Sequence, residues 1–256
     1  MTLNRQSFLI TPEEVEDIKN ETLGKVCNNK CLGRGAFLEN AQFVDCTCKS
    51  EFERRVRLRQ ANIPKKYWDF DLRNLNKEYA EKNDTALQIL KKYTAKLKSM
   101  ADKGIGLYIQ GTHGLAKTAL SYYILKEGIK KDIVCYATSM SQLTDLLYCI
   151  NNPECKSRID WIKKEVQLLV IEEIEKDYNV DKSTSFMGSL VNDFFRSLYD
   201  TKKALIVTSN LSKKALKESK IHADNVADRF EELVDIILVG SSYRKQDESL
   251  KQILGA

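Results

Sequence analysis

One segment of the sequence has the residue types and spacing of a phosphate-binding loop. The segment reads Gly-Thr-His-Gly-Leu-Ala-Lys-Thr and directly follows the apolar run 105–110. In the pattern G-x-x-x-x-G-K-[ST], small residues let successive backbone N–H groups point at a phosphate, the lysine reaches the β- and γ-phosphates, and the hydroxyl lies on Mg²⁺. The residues that this pattern predicts to bind nucleotide are Gly111, Thr112, His113, Gly114, Leu115, Ala116, Lys117 and Thr118. An ordinary strand-turn-helix connection is the alternative interpretation.

Ala116 departs from this pattern, because glycine is the usual residue at its position. If the position requires a positive φ, alanine costs about 1 kcal/mol relative to glycine. The alanine methyl group would also crowd a bound phosphate. The sequence therefore predicts nucleotide binding and leaves fast hydrolysis open.

Two adjacent acids, Glu172 and Glu173, follow the apolar run 166–171. At the carboxyl end of a strand they would emerge beside the phosphate loop, as in a Walker B element. Glu172 would then hold Mg²⁺ through water, and Glu173 would orient and deprotonate the attacking water. Aspartate is the more familiar first acid, and the pair by itself could also be the solvated start of a helix.

Three further residues extend this constellation. Asn210 ends the apolar run 204–209 and could polarise the attacking water or sense the γ-phosphate, although it could also cap the next helix. This order of residues resembles that of AAA+ ATPases, which carry a sensor residue at such a strand end. The resemblance implies that Arg229 is an arginine finger for a neighbouring subunit's γ-phosphate and that Arg244 contacts the subunit's own nucleotide. A lone arginine in either place is more often part of a surface ion pair.

Five short apolar runs must position these residues. They are rich in Ile, Leu and Val and alternate with amphipathic helices, which is typical of a parallel sheet covered on both faces. The runs are 105–110, 132–137, 166–171, 204–209 and 234–239. The sequence thus predicts an α/β P-loop ATPase domain with a five-stranded parallel sheet between helices. Upstream, Thr11, Pro12 and Glu14 predict a capped helix, and residues 77–103 predict one long helix.

Four of the seven cysteines lie near the N-terminus as two close pairs, Cys27 with Cys31 and Cys46 with Cys48. Two such pairs can place four thiolates tetrahedrally around one Zn²⁺, which in a reducing cytosol is favoured over two disulfides. Free cysteines in a flexible segment are the alternative. The other three cysteines, Cys135, Cys149 and Cys155, are expected to be buried or incidental.

The bulk composition is that of a soluble globular protein, with 43% hydrophobic and 30% charged residues. The net charge of +5 permits contact with nucleic acid without requiring it. No apolar run reaches membrane-spanning length, and the first residues lack the apolar core of a secretory signal. We therefore expect no membrane association and a cytoplasmic location.

The chain resembles the DnaC/DnaI-type helicase loaders, an AAA+ branch that also includes the IstB-type transposition helpers. The segments that carry the resemblance are Gly111–Thr118, Leu168–Glu173, Thr208–Asn210, Asp228–Arg229, Ser242–Arg244, and Ala61–Pro64 with Tyr67. The resemblance implies three regions: a zinc-binding, helicase-interacting domain over residues 1–60, a linker over 61–104, and the AAA+ ATPase domain over 105–256.

The function implied by this resemblance is ATP-dependent helicase loading. Such a protein binds a DnaB-type replicative helicase and single-stranded DNA, uses ATP/ADP, Mg²⁺ and Zn²⁺, and self-associates into an AAA+ spiral or ring. Its DNA-facing basic residues would come from the segment Ser139–Lys164 and from Lys202, Lys203, Lys213, Lys214 and Lys217. Solvated surface is the simpler interpretation of any one of these clusters. Two other functions stay open: an IstB-like transposition helper, which the cysteine cluster disfavours, and a nucleotide-gated binding module with little hydrolysis, which Ala116 suggests.

Overall fold

The computed structural model describes residues 9–40, 42–176 and 186–240. These residues form two compact units, which divide between Trp68 and Asp69. Residues 69–104, for which the sequence predicts a linker, belong to the same unit as the five-stranded sheet. None of the described helices is long and apolar enough to cross a membrane.

The first unit combines two helices with a β-hairpin. Its elements are α1 (Pro12–Thr22), β1 (Ala36–Glu39), β2 (Gln42–Asp45) and α2 (Thr47–Gln60). The predicted capping box is confirmed: the Thr11 hydroxyl accepts from the Glu14 N–H at 3.2 Å, and the Glu14 carboxylate accepts from the Thr11 N–H at 3.0 Å. Glu14 also accepts from the Arg59 Nε at 2.8 Å, which ties α1 to α2.

The second unit is an α/β domain with helices around a parallel sheet. Its elements are α3 (Lys77–Lys82), α4 (Asp84–Ala95), α5 (Leu97–Asp102), β3 (Leu107–Gln110), α6 (Lys117–Ile129), β4 (Cys135–Ser139), α7 (Met140–Tyr148), α8 (Pro153–Lys164), β5 (Leu168–Glu172), α9 (Phe186–Asp200), β6 (Ala204–Ser209), α10 (Lys213–Glu218), α11 (Asp224–Glu231) and β7 (Val234–Ile237). All five predicted strands are present, and the predicted fold class is confirmed.

The strand order β4-β5-β6-β3-β7 brings the candidate site residues to one edge of the sheet. Every neighbouring pair is parallel, and Gln110 at the end of β3 lies opposite Ser209 at the end of β6. The carboxyl ends of β3, β5 and β6 therefore lie side by side, which is where open α/β sheets bind their ligands.

The prediction of one long helix over residues 77–103 is wrong, because the helix breaks at Asn83 and at Lys96. Asn83 is buried, and its side-chain amide donates to the Val239 carbonyl at 3.0 Å and accepts from the Val239 N–H at 2.8 Å. Near the second break, the Lys131 ammonium donates to the carbonyls of Thr94 and Ala95, both at 3.0 Å. At the first break, the Asn83 side chain thus binds the backbone of a residue distant in sequence, and at the second a distant lysine binds carbonyls of the helix end.

Candidate nucleotide site and metal centre

The phosphate-loop segment connects β3 to α6 in a conformation that its small residues permit. A side chain at Gly111 would place its Cβ 2.8 Å from the Leu238 carbonyl oxygen, so only glycine fits there. Ala116, the residue before α6, has φ 57° and ψ 17°, which is the left-handed region. The condition under which alanine is costly at this position is therefore met.

Lys117 begins α6 and points its ammonium group into the loop. The Nζ atom donates to the carbonyls of Gly111 at 2.6 Å and Thr112 at 2.9 Å, and to the Asn210 Oδ1 at 2.7 Å. The structure thus brings together the predicted phosphate ligand and the predicted sensor residue. A cation surrounded by oxygen acceptors at the start of a helix is suited to exchange those acceptors for phosphate oxygens.

Glu172 ends β5 as a buried carboxylate beside the start of α6. Burial raises its pKa, whereas hydrogen bonds from Ser121 and Thr118 act in the opposite direction. The Ser121 hydroxyl donates to it at 2.5 Å. A carboxylate next to a threonine hydroxyl is the oxygen donor set that Mg²⁺ takes in nucleotide sites, so these two residues fit the predicted metal.

Glu173 follows directly and is held differently. Its backbone has φ 53°, and its N–H donates to the Thr208 hydroxyl at 3.0 Å. Its partly exposed carboxylate forms an ion pair with Lys176 at 2.9 Å. A left-handed backbone at a non-glycine residue costs on the order of 1–3 kcal/mol and is concentrated at functional sites. The role of Glu173 as catalytic base stays a prediction.

Sequence reasoning missed Glu175, which lies three residues past the end of β5. Its carboxylate accepts from the Ser209 hydroxyl at 2.8 Å and from the Asn210 backbone N–H at 3.0 Å, and also from the Asn210 side-chain amide. An acid in the turn after a strand carries no spacing signal of its own. Only the pairing of β5 with β6 brings it to Asn210.

Of the two arginines predicted to contact nucleotide, the structure describes Arg229 only. Arg229 lies on α11 with its guanidinium 5.3 Å from the centre of the Tyr199 ring, and its Nη1 atom is buried without a hydrogen-bond partner among the described residues. Arg244 lies outside the described residues, as do Ser242 and Tyr243.

The four N-terminal cysteines of the first unit converge on one point. Their sulfur atoms all lie within 4.8 Å of one another, with 3.5 Å between Cys27 and Cys31 and 3.2 Å between Cys31 and Cys48. Burial raises the pKa of the Cys48 thiol to about 12, whereas for Cys31 burial is outweighed by hydrogen bonds from Cys48 and the Gly35 backbone, which lower the pKa to about 6.

This arrangement fits a zinc site. A tetrahedral centre with Zn–S bonds of ~2.3 Å has sulfur–sulfur edges of about 3.8 Å, which lies within the observed spread. Cys46 immediately precedes α2 and Cys48 lies in its first turn, where the helix dipole stabilises thiolates. The hairpin of β1 and β2 connects the two cysteine pairs.

Comparison with known proteins identifies the fold. No family model and no curated protein matches the chain. Among solved structures, the DnaC helicase loader is 19% identical with a TM-score of 0.58, and the match covers 69% of this chain and 100% of that chain. The chain has the AAA+ fold.

Two further AAA+ structures support this assignment. DnaI is 18% identical with a TM-score of 0.56, covering 69% of this chain and 94% of that chain. The replication initiator DnaA, bound to AMPPCP and single-stranded DNA, is 18% identical with a TM-score of 0.53, covering 71% of this chain and 57% of that chain. The expected resemblance to DnaC and DnaI is thus confirmed at the level of the fold.

Several lysines expected to face DNA have structural partners in the AAA+ unit. Lys213 donates to the Leu233 carbonyl at 2.6 Å and pairs with Asp235 at 3.2 Å. Lys217 pairs with Asp228 at 2.6 Å. Lys203 donates to the Lys164 carbonyl at 3.0 Å, and burial lowers its pKa. These contacts hold helices and strand ends in place, so these three lysines have structural roles within the unit.

The expectation that Cys149 and Cys155 are incidental is wrong, because the two form a disulfide with a Cα–Cα distance of 5.9 Å. Cys149 caps the end of α7 and Cys155 lies in the first turn of α8, so the tight turn between the helices brings them together. Cys135, by contrast, is buried in β4 as expected, and its burial raises the pKa of its thiol.

Proposed function

We propose that this protein is an ATP-dependent helicase loader. It binds a DnaB-type replicative helicase and single-stranded DNA, and delivers the helicase for the initiation of DNA replication in the cytoplasm. Self-association into an AAA+ spiral or ring completes the ATPase sites. The observation that carries the proposal is the meeting of Lys117, Glu172 and Asn210 at the carboxyl ends of β3, β5 and β6.

The proposed roles divide the work of hydrolysis. Lys117 binds the β- and γ-phosphates of ATP, and Glu173 takes the proton of the water that attacks the γ-phosphate. Thr118 and Glu172 hold Mg²⁺, which supplies charge neutralisation on the phosphates when bound. Arg229 acts on the nucleotide of a neighbouring subunit, and Arg244 on that of its own.

Two observations favour a loader among AAA+ functions. The similar structures include the DnaC helicase loader and DnaI over nearly their whole lengths, and DnaA with an ATP analogue and single-stranded DNA. In addition, Cys27, Cys31, Cys46 and Cys48 form a cluster that fits zinc, in a separate unit ahead of the AAA+ unit. We propose that this zinc-bearing unit contacts the helicase.

Two substitutions test the ATPase. Lys117→Ala is expected to abolish nucleotide binding, whereas Glu173→Gln is expected to preserve binding and stop hydrolysis, because only the second residue acts on water. The measurements are ATP affinity and steady-state turnover, with and without single-stranded DNA. Lys130→Ala, at the residue that directly follows the helix begun by Lys117 and is ion-paired with Glu127, is the control and should leave both unchanged.

A loading assay with the purified replicative helicase and single-stranded DNA tests the biological role. Stimulated delivery of the helicase supports the proposal, and ATPase activity with no effect on the helicase contradicts it. An unchanged turnover rate in Glu173→Gln would contradict the assignment of the base.

A nucleotide-gated binding module is the second candidate, favoured by the left-handed backbone of Ala116. Such a module would bind ATP and change its partner affinity without measurable turnover. Tight ATP binding together with no hydrolysis, in the presence of both single-stranded DNA and helicase, would favour this candidate over the loader ATPase.

A further inference from the structure

The turn after β5 and the end of β6 are joined by one carboxylate. Glu175 accepts from the backbone N–H of Asn210 at 3.0 Å and from its side-chain Nδ2, while the other carboxylate oxygen accepts from the Ser209 hydroxyl at 2.8 Å. Three hydrogen bonds from two consecutive residues thus end on a single side chain. Glu175 lies in the turn that follows Glu172, the last residue of β5, and Glu173.

The chemistry of these partners fixes which way the Asn210 amide points. A lysine ammonium can only donate hydrogen bonds, and an ionised carboxylate can only accept them. Since Lys117 lies 2.7 Å from one end of the amide and Glu175 contacts the other, the oxygen must face Lys117 and the NH₂ group must face Glu175. The inverted amide would set NH₂ against ammonium and oxygen against carboxylate.

We infer that Glu175 is a positioning residue for ATP hydrolysis, acting through Asn210. It holds the amide with its oxygen toward Lys117 and the phosphate loop, and it accepts a hydrogen bond from the NH₂ group, which therefore faces Glu175. Asn210 therefore works as a hydrogen-bond acceptor, which orients the attacking water through one of the water's hydrogens, and not as a donor to the γ-phosphate. This inference rests on the proposed ATPase function.

The structure also explains why Glu175 would be needed for catalysis and not for binding. Among the described residues, Glu175 accepts its hydrogen bonds from Ser209 and Asn210, and none of them comes from the phosphate loop. Without Glu175 the Asn210 amide could rotate. Its NH₂ group would then donate to the γ-phosphate or point at Lys117, and its oxygen would no longer face the attacking water. A misplaced catalytic group lowers the rate of the chemical step far more than the affinity for substrate.

Three single variants test the inference by their effects on kcat and on ATP affinity. Glu175→Ala is expected to lower kcat by about 10- to 100-fold with ATP affinity nearly unchanged, since positioning is lost and binding is not. Glu175→Gln should retain most of the wild-type kcat, because its amide oxygen still accepts from Asn210 and its NH₂ group can donate to the Ser209 hydroxyl. Ser209→Ala removes the serine bond to Glu175 and the bond that the Ser209 hydroxyl accepts from the Leu211 N–H at 3.0 Å. Both bonds from Asn210 to Glu175 remain, so this variant should keep most of kcat and controls for a merely structural role.

A double variant provides the decisive comparison. If Glu175 acts through Asn210, Glu175→Ala combined with Asn210→Ala should be no slower than Asn210→Ala alone. If the double variant loses kcat by the product of the two single-variant losses, the inference is overturned. An unchanged kcat in Glu175→Ala would also overturn it. Loss of kcat in Glu175→Gln equal to that in Glu175→Ala would also overturn it.

The outcomes separate this inference from the proposed function. Turnover that depends on Glu173 and not on Glu175 overturns the inference and leaves the ATPase intact. A wild-type protein with no turnover under any condition overturns both.

Discussion

Ala116 and Glu173 both adopt a left-handed backbone that L side chains disfavour, with φ values of 57° and 53°. One precedes the helix that carries Lys117, and the other follows the strand that carries Glu172. Hydrogen bonds hold both turns: the Tyr79 hydroxyl donates to the carbonyl of Leu115 at 2.8 Å, and the Glu173 N–H donates to Thr208. The surrounding fold therefore maintains backbone conformations that are unfavourable for alanine and glutamate in isolation.

Replacing Ala116 with glycine should relieve part of this strain. The left-handed region costs alanine roughly 1–2 kcal/mol, and glycine's greater freedom in the unfolded chain offsets about half of the gain, so we expect Ala116→Gly to stabilise the AAA+ unit by up to about 1 kcal/mol. A modest gain in ATP affinity should accompany it. Urea unfolding and nucleotide titration measure the two effects.

The control is the same substitution three residues further on. Ala119 lies within α6, where glycine costs about 1 kcal/mol relative to alanine, so Ala119→Gly should destabilise the unit. A loss of stability or a large loss of ATP affinity in Ala116→Gly would show that the methyl group contributes to the loop.

At the scale of single residues, the sequence predicted those whose spacing along the chain carries a signal. Lys117 with Thr118 and Glu172 with Glu173 follow strands in recognisable patterns, and the structure brings Lys117 to Asn210 and Thr118 to Glu172. Glu175 carries no such pattern, because its partner Asn210 lies just past the end of the neighbouring strand β6, 35 residues away. Its contact with Asn210 depends on the register of the sheet, which the sequence does not display.

At the scale of elements, the segment before α11 contains a buried histidine that should make stability depend on pH. His222 packs against the rings of Phe195 and Phe230, and its Nε2 lies 2.8 Å from the Ile174 carbonyl. Burial lowers the pKa of His222 to about 4. The hydrogen bond with the Ile174 backbone and the negative charge of Glu175 act in the opposite direction but are weaker than the effect of burial. The folded protein therefore keeps this imidazole neutral where the unfolded chain protonates it.

We expect a corresponding loss of stability in acid. Because the unfolded state binds the additional proton, the free energy of unfolding falls as pH decreases from about 6.5 to about 4, by up to ~3 kcal/mol. His222→Gln, which can still donate to Ile174, should show a shallower decline in urea unfolding between these pH values. The only other histidine, His113, is exposed in the phosphate loop, and His113→Gln should leave the decline unchanged. Equal slopes in wild type and His222→Gln would contradict this assignment.

The cysteine cluster predicts that the stability of the first unit depends on bound zinc. Metal binding to a structural site contributes directly to folding, so removal of zinc or Cys31→Ser should loosen the first unit. Limited proteolysis should then cut within residues 9–68 while ATP affinity stays unchanged. Cys135→Ser, in the buried strand β4, is the control that should perturb the second unit without loss of metal. Elemental analysis that finds no zinc in protein purified without chelators would contradict the prediction.

All five strands were predictable because each is a compact apolar run, and α6 was predictable because it follows the loop pattern. The breaks at Asn83 and Lys96 were not, since they depend on Val239 and Lys131, which lie far along the chain. The Cys149–Cys155 disulfide was missed for a related reason: it requires α7 and α8 to meet at a tight turn, and the spacing of the cysteines does not reveal that turn.

At the scale of the whole molecule, substitution of Arg229 tests whether neighbouring subunits share ATPase sites. Its guanidinium lies over Tyr199 with a buried, unpartnered Nη1 among the described residues. If it serves a neighbour's site, Arg229→Ala should bind ATP nearly as the wild type does and lose DNA- or helicase-stimulated turnover. Arg196→Ala, on the exposed face of α9, is the control and should behave as the wild type.

Mixing two inactive variants tests the same prediction more sharply. Subunits with Arg229→Ala retain Glu173, and subunits with Glu173→Gln retain Arg229, so neighbours in a mixture can form a complete site and some turnover should return. If no mixture restores turnover and Arg229→Ala hydrolyses ATP at the wild-type rate, the residue does not act between subunits.

The amide of Asn83 has a consequence for solubility. β7 is an outer strand of the sheet, and just past its end Asn83 binds both the N–H and the carbonyl of Val239, as a peptide group of an additional strand would. Unpaired groups along an outer strand are a template on which other chains can add and aggregate. Because Asn83, at the break between α3 and α4, covers this position from within the same chain, strand addition is blocked there. This protection matters for a protein that is proposed to self-associate, since its copies would be held close together.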